Sequence, residues 1–134
     1  MFVDAAAVIA ILSDEPEAER CAVALDAASE RFTSPIAVWE AAMALARPDK
    51  LALPIETSGQ LVAEFLEARG IEVRDLPPSA VSVQLSLEAA RRFRSGHMRL
   101  NLADCFHYAC ARHYDVSVLS TADEFRFTDL RVIA

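Results

Sequence analysis

Short apolar runs alternate along the chain with longer stretches whose apolar residues recur at helical spacing. Phe2-Val3, ending at Asp4, predicts a first strand, and Ala5 to Leu12 reads as a buried helix. Glu15-Pro16-Glu17 opens a second helix, since proline fits a first turn and acids favour the positive helix end. Its periodic residues are Ala18, Cys21, Ala22, Leu25 and Ala28. Phe32-Thr33-Ser34 is a second strand, and Pro35 starts a helix with Ile36, Trp39, Met43 and Leu45 as core candidates. Pro48 and Pro54 bound a loop, and a helix from Glu56 to Arg69 stops at Gly70. Ile71-Glu72-Val73 alternates like a strand, and Pro77-Pro78 leads into a helix running to Arg94, broken by Ser95-Gly96-His97. Asn101 caps a helix from Leu102 to His113, and Val116–Leu119 and Leu130–Ile133 are the last strands. Strands alternating with helices predict one α/β domain over residues 1–134, with a central, mainly parallel sheet flanked by helices.

Composition narrows the class. A chain of 134 residues that is 54% hydrophobic is long and apolar enough for one packed core. No apolar run approaches a membrane span, and the start lacks a basic segment of the kind that begins a signal peptide. Cys21, Cys105 and Cys110 are irregularly spaced, which fits reduced thiols and a cytoplasmic protein. The net charge of −7 argues by itself against a nucleic-acid partner. A metal site made of carboxylates changes that inference, because a bound cation offsets charges that the formula counts. The only lysine is Lys50, whereas Arg91, Arg92, Arg94, His97 and Arg99 form the densest basic stretch.

Candidate chemistry lies in the acids. Ligands of parallel α/β sheets bind outside the carboxyl ends of the strands. Asp4 directly follows the first strand, Asp123 follows the Val116–Ser120 segment, and Asp104 sits in the first turn of the helix opened by Asn101. Glu40 has Ile36, Ala37, Met43 and Ala44 as its helical neighbours, so a carboxylate is set into an apolar stripe. An unpaired charge there is costly, and a cation is an economical partner in a chain with almost no lysine. Mg²⁺ and Mn²⁺ are hard cations that take oxygen ligands, and they stabilise charge on a phosphate under in-line attack. Each acid also has a plainer reading: Asp4 ends a strand or caps a helix, Asp104 serves the helix dipole, Glu40 meets a structural partner, and Asp123 is solvated.

Four segments resemble a known family, the PIN-domain ribonucleases, and within it the VapC toxins of bacterial toxin–antitoxin pairs. They are Phe2–Leu12 continuing through Glu15–Arg20, Ser34–Ala42, Leu100–Phe106, and Thr121–Phe125 followed by Thr128-Asp129-Leu130. The resemblance spans nearly the whole chain. It implies a PIN-like three-layer sandwich, a divalent metal (Mg²⁺ or Mn²⁺) and hydrolysis of RNA. It casts Asp4, Glu40, Asp104 and Asp123 as catalytic metal ligands, with Glu124 as the substitute for Asp123. A cognate VapB-like antitoxin and a homodimer are further implications. The family often has a small hydroxyl residue shortly after the first aspartate. Ala5, Ala6 and Ala7 supply none, which shifts that support to Thr121 or weakens activity. A weakly catalytic PIN domain that binds RNA or protein is therefore the alternative.

Other features weigh less. Arg91, Arg92, Arg94, His97 and Arg99 suit RNA phosphates, antitoxin acids or simply the negative end of a helix. His107, Cys110 and His113 share a broad helix face, but its outer two members stand about 9 Å apart along the axis, which disfavours a zinc site. Trp39 reads as core or dimer interface. A phosphate-accepting receiver domain would need a lysine after its last strands, and Lys50 lies in an early loop. A metal-dependent phosphatase would want an Asp-x-Asp pair where this chain has Asp4-Ala5-Ala6.

Overall fold

Each strand of the sheet is only two residues long, so helices rather than long ladders carry most of the fold. The computed structural model describes residues 1–96 and 99–134. In chain order the elements are β1 (Phe2–Val3), α1 (Ala5–Leu12), α2 (Ala18–Ala27), β2 (Phe32–Thr33), α3 (Pro35–Leu45), α4 (Ile55–Ala68) and β3 (Glu72–Val73). Then come α5 (Ser79–Phe93), α6 (Leu102–His113), β4 (Val118–Leu119), a 3₁₀ turn (Asp123–Phe127) and β5 (Val132–Ile133). All pairings are parallel and the order is β3-β2-β1-β4-β5. The central strands Phe2-Val3, Phe32-Thr33 and Val118-Leu119 are fully buried apolar or hydroxyl pairs, as a sheet covered on both faces requires.

The helix ends follow local chemistry. Ser34 caps α3 by accepting a hydrogen bond from the Ala37 amide at 3.2 Å, with Pro35 in the first helical position. Gly70, at φ +59°, lets the chain leave α4 through the left-handed region. Asn101 opens α6 with a reciprocal capping box to Asp104.

One departure concerns α3. Its buried residues are Ala37, Ala41, Ala42 and Leu45, not the expected Ile36, Trp39, Met43 and Leu45 set. Helix α3 packs against both α1 and α4, and small side chains permit that approach. Ile36 and Met43 are half-buried and Trp39 turns outward, 63% exposed, so its expected place in the core is corrected. A second, smaller cluster of Ala89, Leu100, Cys105, Tyr108 and Phe125 joins α5, α6 and the 3₁₀ turn. There the Tyr108 hydroxyl donates to Asp129 at 2.9 Å, and Arg92 donates to the other carboxylate oxygen at 3.0 Å. The three cysteines are free and buried, and no helix among the described residues is long and apolar enough to cross a membrane.

Candidate active site

The chain runs from β1 outward to β2 and β3 on one side, and from β4 to β5 on the other. The strand order therefore reverses between β1 and β4, which leaves a crevice outside their carboxyl ends. Asp4 follows β1 and Ser120 follows β4, and the two meet there: the Ser120 hydroxyl donates to Asp4 Oδ2 at 2.6 Å. Asp4 is the N-cap residue of α1 but its side chain makes no capping bond. The carboxylate thus serves the crevice rather than the helix.

Helices α3 and α6 bring the other acids. Glu40 lies midway along α3, and its Oε2 meets His107 Nε2 at 2.6 Å. The same nitrogen is 3.6 Å from Asp4 Oδ1. Asp104 stands one turn before His107 on α6. Its Oδ2 accepts the Asn101 amide at 2.7 Å while its own amide donates to Asn101 Oδ1 at 3.0 Å. Asp4, Glu40, Asp104, Glu124, Arg47 and Trp39 all line one open cleft of about 490 Å³.

The electrostatics reflect crowded acids with little water. Burial pushes the Asp4 carboxyl above the usual carboxylate range, against the opposing pull of His107 and the Ser120 hydrogen bond. Asp104 is raised to about 6, first by burial and further by the charge of Asp4. Burial alone would lower His107, but its hydrogen bond to Glu40 and the charges of Asp4, Glu40 and Asp104 outweigh it, and the imidazole is raised. Such a cluster wants positive charge. Arg47, the basic side chain on the cleft wall, is already bidentate to Asp49 at 2.9 and 2.6 Å. The donors facing the cleft are carboxylate oxygens, which fit a hard divalent cation such as Mg²⁺ or Mn²⁺.

One nitrogen complicates that donor set. Ligating atoms of Asp4, Glu40 and His107 lie within 4.8 Å of one another, so the three form a possible metal triad. His107 is nevertheless fully buried and does not line the cleft. Asp4, Glu40 and Asp104 are the acids of this group that line the open cleft.

The C-terminal candidates separate. Asp123 heads the 3₁₀ turn with a side chain 67% exposed and faces Arg126 at 3.2 Å, whereas Glu124 lines the cleft. The hydroxyl that reaches Asp4 belongs to Ser120 and not to its neighbour Thr121. Arg91, Arg94 and Arg99 are exposed. Arg92 is engaged with Asp129, Glu88 and the Tyr108 hydroxyl. His97 lies outside the described residues. Sequence reasoning left out Arg47 at the site, and weighed His107 only as a disfavoured zinc ligand. His107 follows Asp104 by one helical turn, so helical spacing held its signal, whereas Arg47 lies just past the end of α3, where spacing carries none.

Known proteins resemble this chain in sequence and in fold. The PIN domain family model matches residues 1–131. A VapC ribonuclease of Rhizobium meliloti is 32% identical, over 96% of this chain and 98% of the relative. Ribonuclease VapC42 of Mycobacterium tuberculosis is 33% identical, over 98% of this chain and 97% of the relative. Among solved structures, Mycobacterium tuberculosis VapC20, described as a Sarcin-Ricin loop cleaving toxin, superposes with a TM-score of 0.75 at 13% identity, over 96% of this chain and 95% of that one. FitAcB from Neisseria gonorrhoeae superposes at 0.65 with 19% identity, over 99% and 96%.

Proposed function

Because the chain belongs to the PIN domain family and has full-length VapC ribonuclease relatives, we propose that it is a VapC-like toxin that cleaves RNA with the help of Mg²⁺ or Mn²⁺. The observation that carries the reading is the convergence of Asp4, Glu40 and Asp104 on one cleft at the carboxyl edge of a parallel sheet. These three acids hold the cation, and Glu124, in preference to Asp123, completes the acidic wall. When bound, the cation activates water and offsets charge on the phosphodiester under attack.

The protein's own groups do the rest. Ser120 fixes Asp4, and the capping box fixes Asp104 at the start of α6. The acid cluster alone repels a polyanion, so RNA binds productively only where the cation neutralises it. The exposed Arg91, Arg94 and Arg99 supply phosphate contacts away from the acids. The exposed apolar side chains of Trp39 and Leu102 suit burial by another chain. A cognate VapB-like antitoxin that blocks cleavage and a homodimeric assembly are the partners this reading assigns.

The test is to incubate the purified, antitoxin-free protein with mixed cellular RNA, with Mn²⁺ or Mg²⁺ and with EDTA, beside Asp104→Asn. Discrete cleavage that requires metal and vanishes in the variant is the expected result. Full cleavage by Asp104→Asn, or undiminished cleavage in EDTA, overturns the assignment.

A further inference from the structure

His107 is an unusual residue to bury. It is fully enclosed, with its ring against Phe2 at a centroid distance of 5.5 Å, and its Nδ1 has no hydrogen-bond partner among the described residues. A buried polar atom left unpaired costs stability, and an aliphatic side chain would fill this space without that cost. What the imidazole gains for the fold is therefore not packing. Its Nε2 points at Glu40 Oε2 at 2.6 Å and stands 3.6 Å from Asp4 Oδ1, behind the wall of the cleft.

We infer that His107 is a positioning residue for the metal site, holding the Glu40 carboxylate from behind through an Nε2–H donor while Glu40 presents its other oxygen to the cation. The inference rests on the reading of the acid cluster as a divalent-metal site. Two observations separate positioning from direct ligation. The 2.6 Å contact is a hydrogen-bond distance, and an ionised carboxylate can only accept, so the contact calls for the Nε2–H form, which has no lone pair there to offer a metal. The imidazole is also absent from the cleft lining, while Asp4, Glu40 and Asp104 all reach it. Hydrogen bonds to ligating carboxylates restrict their orientation and thereby strengthen metal binding.

The experiment is Mn²⁺ titration by calorimetry of the wild type, His107→Leu and His107→Gln, with electron spin-echo spectroscopy of the Mn²⁺-loaded wild type. His107→Leu is expected to weaken Mn²⁺ binding by about 10- to 100-fold. His107→Gln, whose amide places an N–H donor near the Nε2 position, is expected to recover most of that loss. The spin-echo spectrum is expected to lack coupling to a directly bound nitrogen. Unchanged affinity in folded His107→Leu overturns the role of His107, and so does a strong coupling from a ligating imidazole nitrogen. If His107→Leu does not fold, the glutamine variant and the wild-type spectrum decide the question. A wild type that takes up no Mn²⁺ overturns the metal reading itself, and this inference with it.

Discussion

Ser120 and Asp4 join the carboxyl ends of two neighbouring strands through one 2.6 Å hydrogen bond, 116 residues apart in the chain. The serine oxygen is fully buried with its residue and also accepts the Ala122 amide at 3.0 Å, which fixes its direction. The support absent from Ala5, Ala6 and Ala7 thus comes from the opposite side of the crevice. Ser120→Ala is expected to lower stability by about 1–3 kcal/mol and to weaken Mn²⁺ binding. Thermal melts and calorimetry check the two effects separately. Lost stability with unaltered metal affinity would reduce Ser120 to a structural role.

Acidity sets a second expectation. Asp104 has an ordinary value of 3.8 and is raised to about 6, so the folded state holds this proton more tightly than the unfolded chain. Without metal, the contribution of this group to stability is therefore fully present below about pH 4 and is lost as pH rises through 6. Asp4 is shifted in the same direction and adds to the slope. Saturating Mn²⁺ should oppose the decline, because the cation favours the ionised acids. Denaturation midpoints across this range, with and without Mn²⁺, check both signs. Asp104→Asn should flatten the metal-free curve, and a curve left unchanged would refute the assignment.

Glu124 and Asp123 make a sharper pair. Glu124 lines the cleft while Asp123 faces Arg126, so Glu124→Gln should reduce metal-dependent cleavage and Asp123→Asn should change it little. Side-by-side rates on one RNA decide the matter, and the reverse order would return the fourth position to Asp123.

Much of the fold is legible in the sequence because its punctuation is local. Gly70 ends α4, Asn101 opens α6, and the apolar pairs at Phe2-Val3 and Phe32-Thr33 announce covered strands. The orientation of α3 is not local. An apolar count favours Trp39 and Ile36 as core, yet the crowding of α1 and α4 selects the alanine face. Asp4, Glu40 and Asp104 stand out as acids beside strand ends or within apolar stripes. Asp123 and Glu124 are adjacent on one turn, and only backbone direction separates them. His107 reads as an ordinary buried residue until α3 is docked against α6, since its partner is 67 residues away.

The network of Tyr108, Asp129 and Arg92 offers a control remote from the chemistry. Tyr108 is fully buried, and Asp129→Ala would leave its hydroxyl without the carboxylate acceptor at 2.9 Å. A stability loss of about 1–3 kcal/mol is expected, with metal affinity and cleavage per folded molecule preserved. Denaturation curves and rates normalised to folded protein check this. Cleavage lost in a fully folded variant would bring Asp129 into the mechanism.

The capping box has a further meaning. Glutamate is the common acid at the third position of such a box, because its longer arm returns easily to the cap amide. Here the position holds Asp104, whose Oδ2 is committed to the Asn101 amide and whose side chain also reaches the cleft. One carboxylate is both the bolt that closes a helix and a wall of the cleft. The two duties confine the residue: lengthening the arm by one methylene can keep the helix closed yet misplace its acid, and an alanine there removes the acceptor of the Asn101 amide and the acid together.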